Sequence, residues 1–158
     1  MVAAALIVIF YYAPMPALQS EKELAGFGTE SVAVNSPNGA RVLSGVVYVA
    51  STSAQLVQGF QGASSFGNCN GKATAAARCV GMIFVNPSNQ IFCFWMNDTS
   101  IPLLQVWISS NGTVVHTYEA TPESTNITCS FGSFVLETSS DTKIDIGDIV
   151  SQSSSLTT

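Results

Sequence analysis

Few residues in this chain are able to do chemistry, and their spacing argues against a catalytic centre. The single histidine, His116, sits in Val114-Val115-His116-Thr117-Tyr118 and alternates with its neighbours on an expected hairpin strand. A catalytic histidine needs an orienting acid and a nucleophile close in space. The chain offers no G-x-S-x-G and no reactive-cysteine signature. His116 therefore reads as a half-exposed strand residue, and the chain as no enzyme, with no cofactor. Asp141, Asp145 and Asp148 put three carboxylates within eight residues. Calcium would suit them, but the spacing fits no EF-hand loop, and Lys143 lies among them. They read as a solvated strand edge, where charge discourages unwanted pairing, and no metal is expected. Phe92, Phe94, Trp95 and Trp107 would suit a sugar-binding platform; at alternating strand positions they read as core. Gly26-Phe27-Gly28 lacks the spacing of a phosphate loop.

The cysteines and sequons carry more information. Cys69, Cys79, Cys93 and Cys129 make an even count with no C-x-x-C, which suggests two disulfides rather than a zinc site. Three connectivities are open. The favoured one joins Cys69 to Cys79, closing a Gly/Asn/Ala-rich loop, and Cys93 to Cys129, linking two strands. Asn97-Asp98-Thr99, Asn111-Gly112-Thr113 and Asn126-Ile127-Thr128 are N-x-[ST] sequons. Together with the cysteines they point to an exported glycoprotein carrying N-linked glycans.

Composition sets the partner classes. Charged residues are 9% of the chain and hydrophobic residues 47%, so the polar surface must come from Ser, Thr, Asn, Gln and Gly. A net charge of −5 with five basic residues leaves little to neutralise a phosphate backbone, which excludes nucleic acid. It also disfavours adsorption to anionic lipid.

The most demanding stretch is the first twenty residues. Met1–Ser20 carries no charge, and Val2–Tyr12 is an unbroken apolar and aromatic run. Left exposed, it would aggregate. A bilayer span needs roughly 20 apolar residues, and Pro14 and Pro16 interrupt this one early. No Lys or Arg precedes the run, and Met15-Pro16-Ala17 is a weak cleavage pattern. Burial by protein is the favoured reading, with membrane burial next.

From residue 30 the pattern changes to short β-type runs between turn residues. The expected strands are 30–35, 42–50, 54–60, 80–85, 90–96, 102–109, 113–119, 126–131, 133–138 and 143–150. Ser36-Pro37-Asn38-Gly39 and Ser110-Asn111-Gly112 are turns with a mechanism, because Asn-Gly accepts positive φ. Residues 61–78 read as a loop, with a short helix at 73–78. Ile91–Met96 is apolar on both faces and reads as a central strand covered on both sides. The fold class expected is all-β: an Ig-like antiparallel β-sandwich with a hydrophobic N-terminal arm. The organisation is an assembly arm over 1–20, a hinge over 21–29, a β-domain over 30–150 and a polar tail over 151–158.

This arrangement of MVAAALIVIFYY, a break at Ala13-Pro14 and a Ser/Thr/Asn-rich β body resembles archaeal-type pilins and surface threads. The resemblance implies a structural subunit of an extracellular filament, a homopolymer acting in adhesion or cell–cell contact. Two arm geometries stay open. As a donor strand, Leu6, Ile7, Val8, Ile9, Phe10, Tyr11 and Tyr12 would complete a neighbour's sheet. As a type IV pilin helix, the arm would bundle with others, although Ala5 stands where that family places an acid. A virion coat or surface glycoprotein and a membrane-anchored adhesion domain are the alternatives. In the filament reading the membrane serves only during export.

Overall fold

The computed structural model describes residues 24–152. The expected assembly arm, with Leu6–Tyr12, and the tail beyond Gln152 lie outside those residues. The described strands are β1 (Gly28–Asn35), β2 (Arg41–Ala50), β3 (Cys79–Phe94), β4 (Leu103–Ile108), β5 (Val114–Ala120), β6 (Thr128–Ser139) and β7 (Ile149–Gln152). One short helix, α1 (Ser53–Gln58), lies between β2 and β3.

The fold is all-β, but its strands join a single sheet rather than the two facing sheets of a sandwich. The order is β5-β4-β6-β3-β2-β1-β7. The two outer strands approach each other through a bridge between Thr113 and Ile149. There the Val114 N–H donates to the Asp148 carbonyl at 2.9 Å, and the Val150 N–H to the Gly112 carbonyl at 2.8 Å. The sheet therefore curls into a half-barrel. All pairings are antiparallel except β2 with β3, and a parallel pair requires a long crossover. Residues 51–78 supply it and lie against the convex face.

Several expected elements differ for identifiable reasons. Residues 54–60, read as a strand, contain α1 instead. Thr52 caps it: its hydroxyl accepts from the Gln55 N–H at 3.3 Å, and the Gln55 side chain accepts from the Thr52 N–H at 3.1 Å. This T-x-x-Q capping box outweighs the β propensity of the apolar run. The expected helix at 73–78 is irregular chain. Runs 80–85 and 90–96 fuse into β3, because a register shift between Val85 and Gln90 absorbs the Asn-Pro-Ser-Asn segment. Pro87 is tolerated there since β2 pairing ends at Phe84, leaving this half of β3 a free edge on that side. Runs 126–131 and 133–138 likewise fuse into β6. The expected strand 143–150 shortens to β7, preceded by a turn.

The sheet separates two cores. On the concave face every strand contributes to one aliphatic cluster, with Val34, Val47, Ile83, Val106, Val114, Leu136 and Val150 among its members. On the convex face the cluster is aromatic and methionine-rich, including Tyr48, Phe60, Met82, Phe84, Phe92, Met96 and Trp107. Leu24 and Phe27 join it from the chain's entry into the domain. Two disulfides pin the covers, Cys69–Cys79 in the crossover and Cys93–Cys129 between β3 and β6, the pairing favoured from the sequence.

Candidate ligand cavity

Alternation along β6 decides which side chains meet the convex cover. Leu136 belongs to the concave cluster, so its neighbour Glu137 points the other way, opposite Met82 of β3 and Gln105 of β4. Glu137 is only 4% exposed. Gly81 allows this close approach: at φ 152°, a Cβ on it would overlap the Glu137 carbonyl oxygen.

A cavity of about 250 Å³ opens above Glu137. Leu56 and Phe60 wall it from α1 and the turn after it, Phe84 and Phe94 from β3, Met96 and Thr99 from the β3–β4 connection, and Leu103 from the start of β4. Exposed Val57 and half-exposed Trp95 stand at its mouth. The two covering segments are tied together. The Gly62 N–H donates to the Asp98 carbonyl at 2.7 Å, and the Ser100 hydroxyl to the Ala63 carbonyl at 3.2 Å. Gln58, Gln61 and Thr99 add neutral polar groups to the wall, and apolar walls with a few convergent polar groups are the usual make-up of a small-molecule site.

The polar group is perturbed. Burial pushes the Glu137 carboxyl up to about 7, against a smaller lowering by its hydrogen bond from Gln105. That bond runs from Gln105 Nε2 to Glu137 Oε1 at 3.0 Å. Gln105 Nε2 also lies 4.0 Å from Met96 Sδ. Gln105 Oε1 is buried and without a hydrogen-bond partner among the described residues. Among the described residues no other titratable side chain lines the cavity. A larger hollow of about 460 Å³ beside Arg78 and Asp141 differs, because both of those charges are solvent-exposed.

The residues singled out from the sequence lie elsewhere. His116 sits half-exposed on β5 with its ring 5.0 Å from that of Trp107. Asp148 turns inward and accepts from the Asp145 N–H at 3.0 Å, while Asp141 and Asp145 stay exposed. Among the described residues no group of three or more acids, histidines or cysteines gathers to hold a metal ion. Phe92, Phe94 and Trp107 pack in the convex core, and the Trp107 indole N–H donates to the Phe92 carbonyl at 3.2 Å. Asn97, Asn111 and Asn126 are all exposed.

The reading of Ile91–Met96 as covered on both faces is corrected. Ile91, Trp95, Ile127 and Phe131 are exposed. Ile91 pairs with Phe131 and Cys93 with Cys129 across β3 and β6, so these side chains share one uncovered, uncharged ribbon. Glu137 went unnoticed in the sequence because a single Glu in Phe134-Val135-Leu136-Glu137-Thr138 looks like the solvated member of an alternating strand.

The model of the family DUF192 (Uncharacterized ACR) matches residues 33–151. No curated protein matches the chain. Two solved structures share the fold. A candidate transcription regulator from Sinorhizobium meliloti 1021 is 23% identical with a TM-score of 0.68, over 80% of this chain and 95% of that one. A protein of unknown function from Novosphingobium aromaticivorans DSM 12444 is 24% identical with a TM-score of 0.61, over 77% of this chain and 83% of that one. At these identities the likeness speaks for the fold alone.

Proposed function

We propose, for a chain that belongs to the DUF192 family, that its domain is a non-enzymatic small-molecule-binding module held outside the cytoplasm by its apolar leader. The observation that carries this reading is Glu137, a buried carboxyl lining a cavity whose other described walls are uncharged. A buried ionisable group with no fixed counter-charge is costly to keep, and such groups concentrate at functional sites. The two disulfides suit an oxidising compartment. Among the described residues no helix is long and apolar enough to cross a membrane, so a tether would fall to Val2–Tyr12. Nucleic-acid binding, which the label on the S. meliloti neighbour would suggest, finds no support in a net charge of −5 with five basic residues.

The test is a fragment titration of the disulfide-intact domain, followed by methyl and aromatic NMR shifts. Changes concentrated at Met96, Phe94, Thr99 and Leu103 support the reading. A fragment set that leaves those signals unmoved overturns it.

A second reading, the filament subunit, is favoured by the exposed ribbon of Ile91, Trp95, Ile127 and Phe131. An uncharged surface of this kind is a place where the uncharged leader of a neighbouring copy could lie. Electron microscopy of the full chain beside a variant lacking residues 1–12 tests it. Fibres that need those residues support assembly, and fibres that survive the deletion refute it.

A further inference from the structure

We infer that the cavity over Glu137 takes a small organic monocation, an ammonium group on a compact apolar or aromatic body, which pairs with the Glu137 carboxylate. This deepens the proposed binding function and rests on it.

The orientation of Gln105 is the first support. As placed, its amide N–H donates to Glu137 Oε1, an arrangement that serves an ionised acid and leaves Gln105 Oε1 unpaired in the interior. Leaving a buried acceptor unpaired costs about 1–3 kcal/mol. A protonated acid would be served better by the reversed amide, whose carbonyl accepts the carboxyl proton and satisfies that oxygen. In this orientation the amide suits the charged form of Glu137 that a bound cation would pair with.

The second support is the absence of a built-in counter-ion. Among the described residues no Lys, Arg or His lines the cavity, so within them a charge on Glu137 has no partner and is balanced from outside. The third is the wall. Phe84 and Phe94 contribute aromatic rings to the wall and Met96 a polarisable sulfur, groups that can favour a cation. An anion would meet the Glu137 carboxyl and only neutral donors in the wall. The volume, about 250 Å³, is roughly that of eight waters and limits the ligand to a short chain or a single ring.

Binding is linked to a proton. Below its raised pKa, Glu137 must release its proton to solvent as the cation enters. Affinity then rises roughly tenfold per pH unit up to about pH 7 and levels off above it. Among the described residues no other titratable wall residue competes for this linkage: α1 offers amides and aliphatics, β3 aromatics and the disulfide-bonded Cys93, and the β3–β4 connection Thr99 and Met96.

The test is calorimetry of the disulfide-intact domain with benzylammonium, benzyl alcohol and benzoate, at pH 6 and 8, in buffers of different ionisation enthalpy. The expected result is benzylammonium at least tenfold tighter than benzyl alcohol at pH 8, no benzoate binding, and proton release at pH 6. Glu137→Gln should lose the ammonium preference and retain the alcohol. Should that variant misfold, proton release by the wild-type chain decides alone. Equal affinity for alcohol and ammonium without proton release overturns the charge assignment and leaves the cavity reading standing. No binding by any of the three overturns both.

Discussion

The two faces of the sheet are built to different rules. The concave face is closed by the sheet's own curl, and its cluster is aliphatic throughout. Side chains from seven strands meet there, β-branched from all but β6, stiff at χ1 and easily interdigitated. The convex face is closed by irregular chain, the crossover 51–78 and the β3–β4 connection, and its residues are aromatic, sulfur-bearing and in two cases polar. Strands that cover one another leave no room. Loops draped over a sheet leave gaps, and here the gap lies above a carboxyl. The comparison sets a face closed tightly by strands against one closed by loops, which leave the gap where the proposed site lies.

Leu136→Ala probes the concave face where it is tightest. Removing that side chain should cost about 2–5 kcal/mol, read as a lower denaturant midpoint with intact fragment binding. A loss of binding at the cavity without a loss of stability would break the division.

Glu137→Gln tests the convex face with the opposite sign. The folded-state pKa lies above the unfolded value, 4.5 against about 7, so the folded chain holds the extra proton between these limits. Stability is therefore full below about pH 4.5 and falls as pH rises towards 7. The shift corresponds to roughly 3 kcal/mol at pH 8. The variant should gain up to that amount at pH 8 and little at pH 5, measured by thermal unfolding. Equal effects at both pH values would mean that Glu137 is not buried as described.

Thr52→Ala removes the cap of α1 and should cost about 1 kcal/mol. Because α1 walls the cavity, fragment affinity should fall with it, while Leu136→Ala leaves that affinity alone. Phe131→Ser, on the uncovered ribbon, should change stability by less than about 0.5 kcal/mol. Any effect belongs to self-association, read by sedimentation.

Legibility in the sequence followed the same division. The turns at Asn38-Gly39 and Asn111-Gly112 could be placed, because positive φ at Gly39 and Gly112 is written locally. The disulfide pairing and the β character of the concave face were legible too, since alternation and loop closure are short-range signals. The convex cover was not. α1 was hidden beneath an apolar run, although Thr52-Ser53-Ala54-Gln55 carried its capping signal. The half-barrel was missed because a sandwich and a curled sheet share the same alternating strands. Glu137 was missed because its burial comes from residues 53–61 and 94–103, neither adjacent in sequence, and no local pattern reports a long-range cover. The exposure of Ile91 and Trp95 has a matching cause: β2 stops before reaching them, and strand length is not set by hydrophobicity alone.

The central proposal is that Glu137 is a ligand-responsive carboxyl in a cavity that no other charged side chain among the described residues lines. Titrating its side-chain carboxyl ¹³C signal with and without benzylammonium tests this most directly. The account predicts a pKa of about 7 in the free protein, falling when the cation binds. An ordinary carboxylate value that does not move on addition of the cation would contradict it.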